Sequence, residues 1–227
     1  MSKTPKENAN TIKTIEFYEK VVAEDPNDFD AWNRLAIANM MASQRKLAIE
    51  CWRRALEIKA AEPDVLNNLG TALFEEGILQ EALIMYRKAV AISPGYTKAW
   101  QNLGELFFAQ GKHDEAVEAF QHALSSGSKE VELQLLLAQT YYSLSRWDEV
   151  LDVLHNILQT NKENDVAWYN KACVHARLLQ IEDSCKSLEK AIGISYQWRR
   201  KARLDSDFDQ IRSSSCFQRV LNPNENL

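Results

Sequence analysis

The chain has 227 residues, 45% of them hydrophobic and 26% charged, with only seven Gly and five Pro; this suits a soluble fold and leaves too few chain breakers for long linkers. A formal net charge of -5 argues against a general nucleic-acid surface, which needs an excess of Lys and Arg on one face. No apolar run approaches the ~18 residues of a membrane span, and Met1–Asn10 lacks the apolar centre of a signal peptide, so we expect a cytoplasmic protein.

The polar, Lys-rich residues 1–10 read as a flexible tail. From Thr11 the chain repeats itself every 34 residues: Leu66, Leu69, Gly70, Ala82, Tyr86 and Ala89 are answered by Trp100, Leu103, Gly104, Ala116, Phe120 and Ala123. A fixed period of this length predicts a stack of helix hairpins. Residues 11–28 form a half unit, a second helix without its first. Full units follow at 29–62, 63–96, 97–130, 131–164 and 165–198, with the first pair of helices expected at Asp30 to Ala42 and Lys46 to Ile58. Because a stack of this kind is one domain however long it grows, 11–198 is read as a single body.

Within each unit a small residue faces a large one. The eighth position is Ala36, Gly70, Gly104, Ala138 or Ala172, and the twentieth is Ala48, Ala82, Ala116, Val150 or Ser184. The twenty-fourth is Trp52, Tyr86, Phe120, Leu154 or Leu188, a bulky knob for the hole those small residues leave. Gly77 and Gly111 supply the left-handed turn that ends a helix. The third unit closes on Ser125-Ser126-Gly127-Ser128, a looser connection with no Pro. The fifth departs furthest, with Lys171 where Leu is usual and His175 where an aromatic is usual; Lys171 is read as pairing with an acid of the C-terminal tail or as snorkelling.

These positions, with Trp32, Trp100 and Trp168 at the fourth place of their units, resemble the tetratricopeptide repeat. The resemblance covers roughly 12–198 and implies an all-α fold, a right-handed superhelical α-solenoid of about five and a half helix-turn-helix repeats. Residues 199–227 are expected to form a capping helix and tail. Asp205-Ser206-Asp207-Phe208-Asp209-Gln210-Ile211-Arg212 is similar to a tail that follows bacterial arrays of this family, which implies a bacterial origin. Phe208, Ile211, Phe217 and Val220 would then cover the core of the last repeat, while Asp205 caps a short helix.

In such a superhelix the first helix of each pair lines the concave face. Its sixth position is Arg34, Asn68, Asn102, Leu136 and Asn170, a broken ladder of amides that can both donate to and accept from a peptide backbone. It resembles the asparagine ladder in the repeat region of O-linked N-acetylglucosamine transferases. The twelfth position is Met40, Phe74, Phe108, Tyr142 and Ala176, a parallel apolar row suited to anchoring partner side chains. With Lys98, these are the candidate peptide-binding residues. Both stripes also have a purely packing explanation, since these residue types are common at such positions. The carboxylate clamp of chaperone-binding relatives is matched only by Asn68 and Lys98, and Asp30, Asp64, Glu75, Glu105 and Glu132 on the same face would repel an acidic peptide. The expected partner is a protein segment that is neutral or basic and carries apolar anchors.

No catalytic constellation is present: there is no GxSxG, no phosphate-cradling loop and no strand to carry one. Cys51, Cys173, Cys185 and Cys216 include no CxxC pair and read as reduced thiols. His113, His122, His155 and His175 offer no metal spacing. We therefore expect a non-enzymatic adaptor or scaffold without cofactor or metal, aiding assembly of a larger complex. Self-association, or attachment to a filament through the convex face and ends, is the alternative. A weaker one is contact with nucleic acid or an anionic surface through the basic run Arg199-Arg200-Lys201-Ala202-Arg203.

Overall fold

The structure is a computed structural model and describes residues 5–128 and 130–222. All regular structure among them is helical, as the 34-residue period requires. The chain divides into two compact units, Met1–Gly127 and Ser128–Leu227. The sequence reads as one unbroken stack; the division falls in the Ser125–Ser128 connection, where Gly127 sits at φ +101°.

The first unit holds α1 (Pro5–Glu24), α2 (Phe29–Met41), α3 (Arg45–Ile58), α4 (Pro63–Glu75), α5 (Leu79–Ile92), α6 (Thr97–Ala109) and α7 (His113–Ser125). Helix α1 begins inside the segment expected to be a tail, of which residues 1–4 lie outside the described residues. A proline is tolerated at the first helical position because its missing N–H would be unpaired there anyway, and no breaker follows it in 6–10. Asp28 caps α2 by accepting from the Ala31 N–H at 2.9 Å, and Pro63 opens α4 in the way its fixed φ favours.

Each hairpin closes by the same turn. The Ile78 N–H donates to the Leu73 carbonyl at 2.8 Å and the Lys112 N–H to the Phe107 carbonyl at 2.9 Å, with Gly77 and Gly111 at φ +77° and +73° between them. Ser43, Ser145 and Leu179 occupy the equivalent places at φ +61°, +56° and +59°, so the geometry persists where the glycine does not. Inside the hairpins a Cβ added to Gly70 would lie 2.7 Å from Cε1 of Tyr86, and one on Gly104 2.6 Å from Cε1 of Phe120. The knob fills the hole completely. The fourth-position tryptophans also fasten the connections between units. Trp32, Trp100 and Trp168 donate their indole N–H to the carbonyls of Pro26, Pro94 and Lys162, pinning each preceding turn.

The second unit holds α8 (Val131–Ser143), α9 (Trp147–Thr160), α10 (Asp165–Arg177), α11 (Ile181–Ile194), α12 (Gln197–Leu204), a 3-10 turn (Ser206–Phe208) and α13 (Ser215–Leu221). Ser184, standing where Ala is usual, is buried, and its hydroxyl donates to the Ala172 carbonyl at 2.8 Å. Lys171 is half-buried, and its Nζ lies 5.5 Å from the Trp168 ring centroid. Phe208, Ile211 and Phe217 are buried against α10 and α11. Val220, expected beside them, is only half-buried, and Leu221 takes the inner position. Asp205 accepts from the Asp207 N–H at 3.1 Å, capping the 3-10 turn. Arg212 closes the tail: its guanidinium donates to the carbonyls of Ala202, Arg203 and Asp205 and pairs with Asp209.

Candidate functional site

In the first unit, helices α4 and α6 pack side by side. From α6 the Asn102 Nδ2 donates to the Asn67 Oδ1 at 2.8 Å and to the Thr71 Oγ1 at 3.3 Å. The Tyr86 hydroxyl donates to the same Thr71 oxygen at 3.2 Å. Asn102 is thus held in a network that joins two repeats, and its donor is committed inside the chain. Asn33 is used similarly, accepting from the Trp52 indole at 2.9 Å. Asn67 and Thr71 did not stand out in the sequence; their spacing of four on one helix face, one repeat before Asn102, was the available signal.

Asn68, Met40, Phe74 and Phe108 are half-buried, while Arg34 and Lys98 are exposed. The contrast within the aromatic row is informative, because Leu73 and Phe107, one residue earlier, are 0% and 6% exposed. Phe74 and Phe108 therefore lie at the margin of the core, with part of each ring left to solvent. The Phe108 ring lies 5.0 Å from that of His113. Of the acids on this face, Glu75 is paired with Arg45 at 2.6 Å and Glu105 accepts from Gln101 at 2.9 Å.

In the second unit Tyr142 and Asn170 come together at a cavity of about 350 Å³ that Gln139, Tyr169, Cys173, Lys201, Asp205 and Asp207 also line. Tyr169 is buried, stacks on Trp198 at 4.3 Å and donates its hydroxyl to Asp205 at 2.7 Å. Burial first, and then the Asp205 carboxylate, raise the Tyr169 pKa. The Tyr142 hydroxyl is buried without a well-formed hydrogen bond. Burial and the neighbouring Asp207 carboxylate hold it firmly protonated, so it stands as a donor beside an acid. Burial likewise pushes the Cys173 thiol up, helped by the charges of Asp205 and Asp207.

Ligand-type atoms of Cys173, Asp205 and Asp207 lie within 4.8 Å of one another, a grouping the sequence concealed because α10 and the tail are far apart in the chain. Asp205 already accepts from the Tyr169 hydroxyl and the Asp207 N–H, so the group serves as a polar network holding the tail. What the cavity offers a visitor is the Asp207 carboxylate, a phenol, two amides and the Lys201 ammonium, which itself covers the aromatic wall of Tyr169 and Trp198.

The basic run is largely engaged by the fold. Arg199 lies over the Tyr196 ring at 4.8 Å, Lys201 over Tyr169 and Trp198 at 4.7 and 4.9 Å, and Arg203 donates to the Leu221 carbonyl and the Asn222 side chain.

Stacked helix hairpins closed by one recurrent turn, with a small residue under each aromatic knob, define a helical-repeat protein. Family models described as tetratricopeptide repeat match residues 62–127, 107–172 and 166–197. Together they span more than half of the chain, and it belongs to the tetratricopeptide-repeat proteins. Among curated proteins, a chloroplastic protein of Arabidopsis thaliana is 34% identical over 62 residues, 27% of this chain and 18% of that protein; the chain thus spans under a fifth of that relative's length.

Solved structures share the fold. The C-terminal part of a TPR repeat-containing protein from Cytophaga hutchinsonii superposes with a TM-score of 0.79 at 16% identity, covering 97% of this chain and 93% of that one. YrrB, described as a TPR protein with an unusual peptide-binding site, gives 0.70 at 18% identity over 82% and 97% of the two chains. Pseudomonas aeruginosa pilF gives 0.70 at 21% identity over 90% of each. No helix among the described residues is long and apolar enough to cross a membrane.

Proposed function

We propose that this protein is a non-enzymatic adaptor that binds an extended segment of a partner protein on the faces of its first helices and so helps assemble a larger complex. The observation that carries this reading is the partial exposure of Phe74 and Phe108, one repeat apart, beside fully buried neighbours. Partly exposed rings one repeat apart suit apolar side chains spaced along a peptide. Asn68 supplies a polar group on the same helices and Asn102, its amide N–H groups held by Asn67 and Thr71, only its carbonyl oxygen; Lys98 and Arg34 supply the rim.

In the second unit the cavity lined by Tyr142, Asn170 and Asp207 also holds the Lys201 ammonium, so it suits a neutral polar side chain that can pair with the phenol, the amide and the carboxylate. The peptide-binding site named for YrrB belongs to that protein, and it supports the class of function here without fixing the residues.

The test uses the full chain as bait in lysate from its own cells, comparing wild type with Phe74→Ala/Phe108→Ala and with Asp207→Asn. Bound proteins are identified by mass spectrometry, and self-association is followed by sedimentation. The reading expects the aromatic double variant to lose its specific partners while remaining folded and keeping whatever self-association the wild type shows. Retention of every partner by both variants, with self-association lost, would transfer the function to the convex face and ends.

A further inference from the structure

The second unit contains a pair of cysteines that the adaptor reading does not use. Cys185 lies in the second turn of α11, and Cys216 is the second residue of α13. Helix α13 packs on α11; Cys185 belongs to the apolar cluster between them, and Cys216 is packed against that cluster. Both open onto one cavity of about 760 Å³, which Lys186, Arg199 and Arg219 also line. Cys185 is 2% exposed, whereas Cys216 is half-buried, so the two sulfurs differ in access.

The two cysteines face one cavity from the packed helices α11 and α13, within the same apolar cluster. Burial, the larger effect, and the neighbouring Cys216 thiol push the Cys185 pKa up. Cys185 is therefore a poor first nucleophile, and Cys216 is the sulfur that a reagent in the cavity meets first. Cys51 lies in the other unit, and Cys173 lines the separate cavity beside Asp205, so neither competes for this pairing.

We propose that Cys185 and Cys216 form a reversible intramolecular disulfide that fastens α13 to α11, with hydrogen peroxide as the oxidant. The Cys216 thiolate attacks one peroxide oxygen; an S–O bond forms, the O–O bond breaks, and the departing hydroxide takes up the proton that Cys216 released, giving a sulfenic acid and water. The Cys185 sulfur then attacks the sulfenic sulfur; the S–S bond forms, the S–O bond breaks, and the hydroxide leaves with the Cys185 proton as a second water. Two thiols lose two electrons in total and the peroxide gains them. The bridge encloses α12 and the tail, which restricts the unfolded chain and stabilises this end of the unit.

The experiment treats the full-length reduced protein with one equivalent of hydrogen peroxide and follows intact mass, free-thiol count, a non-reducing peptide map and the thermal midpoint. The proposal expects a mass lower by two hydrogens, loss of two of the four thiols, a peptide joining Cys185 to Cys216, a raised midpoint, and full reversal by dithiothreitol. Cys185→Ala should instead leave Cys216 as a sulfenic or more oxidised acid, with no internal bridge and no rise in midpoint. Wild-type protein in which Cys216 gains oxygen while Cys185 stays a free thiol, or which crosslinks only between chains, would overturn it.

Discussion

Asn102 on α6 donates its side-chain N–H across to the Oδ1 of Asn67 on α4, 2.8 Å away. Asn67 is 1% exposed, so water cannot readily replace that donor. Asn102→Ala should cost about 1–3 kcal/mol in urea unfolding, the usual penalty for stranding a buried acceptor. Asn68→Ala, at the next position, should change stability by ~0.5 kcal/mol or less, as surface-margin substitutions do. Equal effects at the two sites would show that the Asn102–Asn67 bond does not hold α4 to α6.

Adding one methyl group should test the knob and hole. Gly70→Ala and Gly104→Ala each drive a Cβ into the ring of Tyr86 or Phe120, and overpacking of this kind costs about 1–3 kcal/mol. Gly70→Ala combined with Tyr86→Leu should recover part of the loss, giving a favourable coupling of ~0.5 kcal/mol or more in a double-mutant cycle. Strict additivity would mean that the two positions are not in contact.

Leu179 is 57% exposed and sits at φ +59°, where Gly77 and Gly111 stand in the regular repeats. A side chain there costs roughly 1–2 kcal/mol against the left-handed backbone, and glycine gives back part of this in unfolded-state entropy. Leu179→Gly should therefore stabilise the second unit by about 0.5–1 kcal/mol, read as a higher denaturation midpoint. A lower midpoint would mean that the leucine contributes packing the turn needs.

Alkaline pH should weaken the fold through its tyrosines. Burial, the dominant effect, pushes the Tyr86 hydroxyl up to about 12, whereas an unfolded tyrosine ionises near pH ~10. A raised folded pKa gives stability that is complete below ~10 and is lost as the pH climbs toward ~12. Tyr142 and Tyr169, raised by burial and by Asp207 and Asp205 respectively, act in the same direction. Denaturation midpoints should thus fall between pH ~10 and ~12, where the unfolded chain's phenols are ionised and the folded ones are not, and Tyr86→Phe should fall less steeply. An unchanged slope in that variant would remove Tyr86 from the explanation.

The hairpins were legible in the order of residues alone. A 34-residue recurrence of Gly or Ala beneath Tyr86 and Phe120, with turn residues at Gly77 and Gly111, leaves few ways to bury those rings, because local spacing sets which helix face is apolar and where each helix stops. The same period carried the half-exposed row of Phe74 and Phe108. Long-range packing settled what remained. The sequence placed Asn102 in a row of its equivalents, and packing decided which neighbour its amide bonds, Asn67, from a different position of the adjacent repeat. The cavity joining Tyr142 and Asn170 to Asp207, the inward turn of Leu221 instead of Val220, and the meeting of Cys185 with Cys216 likewise have no period behind them. After Trp198 the repeat ends, and the orientation of each short segment is set by the surface it covers, a contact between residues far apart in the chain that local spacing does not encode.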